Sequence, residues 1–259
     1  AALIQLAGWT PAELAYVDRL ALQINIPNGA GALDIGALLG QDRGSDDDAP
    51  TADEQLERLR ELFAEARSYA NQRDQATQAD PRLASYDPAL EALIPYARRE
   101  KPVILSANSA AAILVAIDLA AELDVRAILR GGQEAWRVAD EIADAGLAVL
   151  LSPLTRSPSD PYDPYDSVYA SPLRLHEAGV LFGFQSNSGS DSRQLPFHAG
   201  MAVAFGLPRD VALRSVTLST AEILGVDDQV GSLDVGKRAD IIITDGDPLQ
   251  AGSNVKYMF

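Results

Sequence analysis

The sequence predicts an α/β fold built from parallel βαβ units. From residue 88 onward, short apolar strands alternate with amphipathic helices, the rhythm of a parallel sheet or barrel. Composition agrees: 47% of residues are apolar but only 6% aromatic, with Ala and Leu abundant, as expected of many packed helices. At 259 residues the chain is long enough for one large domain or a domain and a half.

Each element can be justified in order. Thr10, Pro11 and Glu13 form a capping box with proline at the first helical position, predicting a helix to about Leu22. The stretch from Ile24 to Pro50 reads as loop. Thr51 and Glu54 make a second capping box, opening a long polar helix over 52–76 that does not fit neatly as a barrel helix and reads as an insertion. A helix over about 88–99 precedes the strand PVILSA, and the helix SAAAILVAIDLAAEL precedes VRAILR. QEAWRVADEIADAG forms the next helix, before LAVLLS. After a loop over 153–170, the short helix SPLRLHEAG leads into VLFGFQ, and three helical stretches fill about 195–225.

The segment GSLDVGKRADIIITDGDPL, residues 231–249, contains G-x-x-x-x-G-K. A phosphate-binding loop needs Ser or Thr after the lysine, a strand before and a helix after. Here Arg238 follows Lys237, helix-like AEILG precedes, and the β-rich IIIT follows. A tight turn feeding a strand is the expectation, with Gly231 and Gly236 at positive φ.

A net charge of −16 argues against nucleic acid or an anionic membrane surface as partner. No apolar run approaches the roughly 18 residues of a membrane span. The absence of cysteine removes disulfides and thiol catalysis. The opening AALIQLAGW, without an initiator Met, suggests a processed or partial product. The spaced aspartates around PYDPYD match no calcium loop and read as a solvated acidic loop.

Reactive groups of a parallel barrel stand at the C-terminal ends of its strands. Here those ends carry Ser106 and Asn108, then Arg130 with Gly131 and Gly132, then Ser152, then Gln185, Ser186 and Asn187. RGGQEAW offers two readings, an anion nook at a helix start or a structural turn with Arg130 paired to a nearby acid.

Four segments resemble the metal-dependent amidohydrolases, particularly the imidazolonepropionase-related branch: PVILSANSAAAILVAIDLA, AILRGGQEAWRVADEIADAG, LPFHAGMAVAFGL and AEILGVDDQVGSLDVGKRADIIITDGDPL. The opening IQLAGWTPAELA is also similar to this branch. The resemblance implies a TIM-like (β/α) barrel over 1–225, partial or completed in trans, with a β-sandwich return segment over 226–259. It further implies one or two divalent metals, held by histidines and an aspartate, that activate a water for attack on a carbonyl.

The matching positions depart from that pattern. The first histidine falls at Ser106, the second at Arg130, and the aspartate near Asn187, with Asp191 four residues on. Serine and asparagine are poor zinc ligands, and arginine is a fixed cation. The H-x-H pair of such barrels is absent. Of the two histidines, His176 reads as exposed, while His198 in LPFHAG stands beside the final active-site loop with a capping or packing role expected. No G-x-S-x-G marks a serine elbow, and Asp227 and Asp228 read as a solvated turn.

The expectation is an amidohydrolase-like chain without metal ligands or cofactor, acting as a binding or assembly subunit that can pair with an active homologous chain. Ser106, Asn108, Arg130, Asn187, Asp191 and His198 are its candidate ligand-binding positions. The alternatives are a fragment of an active zinc- or other metal-dependent hydrolase of cyclic amides or C–N bonds, and a sugar- or peptide-binding module. Half a barrel leaves an open sheet edge, so a protein partner or a second copy is expected. The family resemblance makes a periplasmic or otherwise exported location an expectation.

Overall fold

The computed structural model describes residues 3–4, 15–17, 19–26, 51–79 and 86–259. In chain order the elements are β1 (Leu3–Ile4), β2 (Ala15–Val17), β3 (Leu22–Asn25), α1 (Ala52–Ala79), α2 (Pro88–Ala97), β4 (Val103–Ala107), α3 (Ala110–Glu122), β5 (Ala127–Gly131), α4 (Ala139–Asp144), β6 (Ala148–Leu151), α5 (Ser167–Glu177), β7 (Phe182–Phe184), α6 (Leu195–Ala204), α7 (Arg209–Ser215), α8 (Leu218–Leu224), β8 (Ile242–Thr244) and β9 (Val255–Met258). One sheet has the strand order β3-β4-β5-β6-β7, with β6 parallel to both β5 and β7. The α/β class expected from the alternating pattern is therefore present, with a small antiparallel β8–β9 pair beyond it. Two compact units are delimited, residues 1–103 with 118–126, and residues 104–117 with 127–259.

In the first unit, α1 starts where its capping box placed it. The Thr51 N–H donates to Glu54 Oε2 at 2.8 Å, and the Glu54 N–H donates back to Thr51 Oγ1 at 3.3 Å. Leu56, Phe63, Ala66 and Ala70 form a buried stripe at helical spacing. Polar groups tie the helix down as well: Arg73 pairs with Glu91 of α2, and Arg60 Nε reaches Glu122 at 2.7 Å. Helix α2 is capped by Asp87, which accepts from the Ala89 and Leu90 N–H groups, with Pro88 at the first helical position.

The helix expected from Thr10 to about Leu22 is corrected. Residues 15–17 form β2, antiparallel to β1, and β3 begins at Leu22. Tyr16, Val17 and the alternating Leu22-Gln23-Ile24-Asn25 favour strand, so pairing overrode the local cap signal. Thr10, Pro11 and Glu13 themselves lie outside the described residues, as does the loop reading over 27–50. Ile24 and Asn25, read as loop, belong to β3.

In the second unit, the expected strands appear within a residue or two of their predicted bounds and are almost wholly buried. QEAWRVADEIADAG departs from one continuous helix. A 3-10 turn over Ala135–Arg137 and α4 are separated at Val138, whose φ of −128° and ψ of 34° lie outside the helical basin. Helix α5 begins at Ser167, earlier than the expected SPLRLHEAG, and Tyr169 in its added turn stacks on Phe205 at 4.9 Å.

The 231–238 segment is a turn, as its reversed order required. Gly231 and Gly236 have φ of 95° and 98°. Lys237 Nζ contacts Ser232 Oγ at 2.5 Å and pairs with Asp234 at 3.4 Å, so the loop closes on its own lysine. The following DGDPL is an anchor. Asp247 receives Arg209 through two hydrogen bonds of 2.6 and 2.9 Å and the Leu249 N–H at 3.0 Å, which hold its carboxyl below the usual carboxylate range. Leu249 is buried, and a Cβ built on Gly200 of α6 would fall well inside 3.0 Å of the Leu249 carbonyl oxygen. Beyond this anchor, Ile242, Ile243, Val255, Tyr257 and Met258 of the β8–β9 pair are all exposed.

Candidate functional site

A cavity of about 430 Å³ opens within the second unit, built from segments that follow strands β5, β6 and β7. Gln133 contributes from the segment after β5. Ser152, Thr155 and Arg156 come from the loop after β6, and Ser186, Asn187 and Asp191 from the segment after β7. His198 closes it from α6. This is the end of a parallel sheet where connecting loops gather chemistry.

His198 is only 1% exposed, and neither Nδ1 nor Nε2 has a hydrogen-bond partner among the described residues. Burial pushes its pKa below the ordinary histidine value, while the Asp191 carboxylate acts in the opposite direction. Asn187 has a φ of 61°, a left-handed conformation that asparagine adopts more readily than most side chains. Arg156 is half-buried. Its Nη2 donates to the Gln133 carbonyl at 2.7 Å, while its Nε is buried without a partner among the described residues. Burial works against its charge.

Of the six positions singled out from the sequence, Asn187, Asp191 and His198 meet in this cavity. Ser106, Asn108 and Arg130 stand at the ends of β4 and β5 and do not line it. Arg130 Nε donates to Gln185 Oε1 at 2.9 Å, and Gln185 Nε2 donates to the Leu150 carbonyl at 3.2 Å. The partner of Arg130 is thus an amide across the strand ends, where an acid was one expectation. Asn108 accepts the Glu134 N–H on its carbonyl at 2.9 Å. Its Oδ1 is buried against Gly131 without a hydrogen-bond partner among the described residues.

The RGGQEAW segment forms the structural turn. The Gly132 N–H donates to the Ala107 carbonyl at 2.8 Å, and Glu134 Oε2 accepts the Ala110 N–H at the start of α3 at 2.8 Å. The Gly132 amide is thus taken up by the chain's own backbone, and Glu134 caps the neighbouring helix α3. His176 is exposed on α5, as expected.

The positions at which the resemblance implies metal-binding histidines carry other side chains. Ser106 and Arg130 stand there, and a guanidinium repels a cation. Among the described residues no group of three or more His, Asp or Glu is placed to hold a metal ion. Sequence reasoning missed Arg156 and Gln133 as individual residues, and named Gln185 only as a strand-end residue without its link to Arg130. Arg156 lies in SPLTRSP, five residues after the end of β6, and that placement was its one available signal.

Comparison with known proteins adds a likeness to one family. A model of the amidohydrolase family matches residues 166–258. An imidazolonepropionase of Syntrophobacter fumaroxidans is 36% identical over 109 residues, covering 40% of this chain and 24% of that protein. The amidohydrolase tasK of Hapsidospora irregularis is 34% identical over 115 residues, covering 40% of this chain and 12% of that protein. The matches thus span about a quarter or less of these relatives' length. The crystal structure of an amidohydrolase from Thermotoga maritima shares the fold over 100% of this chain and 65% of its own, with a TM-score of 0.82 at 21% identity. Residues 166–258 thus resemble the amidohydrolase family in sequence, and the whole chain shares its fold with a solved amidohydrolase.

Proposed function

We propose that this chain is a non-hydrolytic member of the amidohydrolase family, acting by binding a ligand in the cavity beyond β6 and β7, within an assembly. Arg130 carries the proposal. A permanent cation stands at a strand end where the family resemblance implies a metal-binding histidine, and it is held there by Gln185. Ser106 at the end of β4 departs in the same way. Polar side chains from three strand-end segments still converge on a cavity of ligand size. Support for assembly comes from the β8–β9 pair, whose exposed apolar residues on both strands suit burial against another chain.

Elemental analysis with intact mass on the same purified sample is the test, followed by assay with added zinc against cyclic amides and N-acyl amino acids. The expected result is far less than one zinc, iron or manganese per chain, with no zinc-dependent turnover. About one metal per chain together with turnover would overturn the proposal and favour a hydrolase. Analytical ultracentrifugation tests the assembly, and a monodisperse monomer at micromolar concentration would refute it.

A further inference from the structure

Two side chains of the cavity have unmet hydrogen-bonding capacity at buried atoms. His198 presents both ring nitrogens and Arg156 its Nε, each buried and without a partner among the described residues. Buried polar atoms of this kind are ordinarily satisfied, so they mark a place where something else binds. The guanidinium is not free to turn elsewhere, because Nη2 is fixed on the Gln133 carbonyl at 2.7 Å. Nor is its charge matched by a direct ion pair among the described residues. The carboxylate that acts on it, Glu134, is committed to the α3 N-terminus through Ala110.

The chemistry of the missing partner follows from these atoms. An arginine Nε–H only donates and carries positive charge, so it calls for an anionic oxygen. A histidine ring with one proton donates once and accepts once, so a ligand that satisfies it brings an acceptor and a donor. Asp191 on the same wall disfavours a second negative group and accepts a further donor. A volume of about 430 Å³ suits a small molecule. We infer that the cavity binds a small monocarboxylate bearing a hydroxyl or ammonium donor, such as an α-hydroxy or α-amino acid, with Arg156 anchoring the carboxylate and His198 reading the donor. This deepens the proposed binding role and rests on it.

The test is calorimetric titration of the intact, EDTA-treated protein with L-lactate, L-alanine and propionate, the last lacking the donor. Lactate or alanine is expected to bind saturably and at least about tenfold more tightly than propionate. Arg156→Gln should weaken that binding tenfold or more. Arg156→Lys should not restore it, since an ammonium on a flexible stem does not reproduce a fixed Nε–H. His198→Phe should remove the preference for lactate or alanine over propionate. Thermal melts of each variant establish that it folds, and the unaltered protein's preference among the three ligands stands independently of any variant. No saturable binding of any ligand, or equal binding by Arg156→Gln, overturns the inference. Zinc-dependent turnover would instead defeat the non-hydrolytic reading, and the two failures are separable because the titration is done without metal.

Discussion

Gly200 sits in the middle of α6, where replacing glycine by alanine ordinarily stabilises a helix by about 1 kcal/mol. Here the opposite is expected. The alanine Cβ would fall well inside 3.0 Å of the Leu249 carbonyl oxygen and 3.2 Å from its carbon. That neighbour is backbone, so no rotamer change relieves the clash. It is also held on both sides, by the buried Leu249 side chain and by the Arg209–Asp247 anchor. Overpacking costs typically 1–3 kcal/mol, and an immovable neighbour puts this case at or above the upper end. Against the helix gain, Gly200→Ala should destabilise the fold by about 2 kcal/mol. That corresponds to a fall in Tm of about 4–8 °C for a chain of this size. Urea unfolding followed by circular dichroism measures it. Gly189→Ala is the control, since nothing lies within 4 Å of its Cβ position, and it should be near neutral. If Gly200→Ala is as stable as the parent or more so, the account of DGDPL as a backbone-packed anchor is wrong.

Other expectations follow from the same structure. Phe63→Ala should cost about 3–5 kcal/mol in urea unfolding, because Phe63 is fully buried; a loss below about 1 kcal/mol would show α1 to be loosely attached. Thr51→Ala should cost about 1 kcal/mol and speed amide exchange in the first turn of α1, and unchanged exchange there would contradict the capping box. The buried His198 imposes a pH dependence. Its folded-state pKa lies below the ordinary 6.5, so between the two values the unfolded chain holds the extra proton. Its contribution is therefore complete above about pH 6.5 and is lost as pH falls through that window, at up to about 1.4 kcal/mol per pH unit. Stability measured between pH 5 and 8 should show this slope in the parent and not in His198→Leu; equal slopes would refute it.

The alternation from β4 to β7 was legible because each strand is apolar except toward its C-terminal end, and helices α3 and α4 between them are marked by Ala-rich runs carrying Asp and Glu. Strand ends, and with them Arg130, Asn187 and the cavity rim, could be read directly. The region near Tyr16 was misread because a capping box is a local signal, while β1–β2 pairing joins residues more than ten positions apart. Arg156 escaped notice for a related reason. Nothing local in SPLTRSP distinguishes an arginine buried over a cavity from one in solvent, and only the fold brings it to the Gln133 carbonyl and near His198. Gln185 was visible as a strand-end residue, but its role depends on reaching across β6 to Arg130.

That bridge also bears on the paths open to this scaffold by mutation. Arg130→His would remove the cation, yet it would leave Gln185 without its donor, and Ser106 would still lack a metal-binding side chain. An intermediate carrying one change would lose a structural contact and gain no metal affinity. On the proposed reading, a metal site here would need changes at both strand ends together, since neither change alone supplies a pair of ligands.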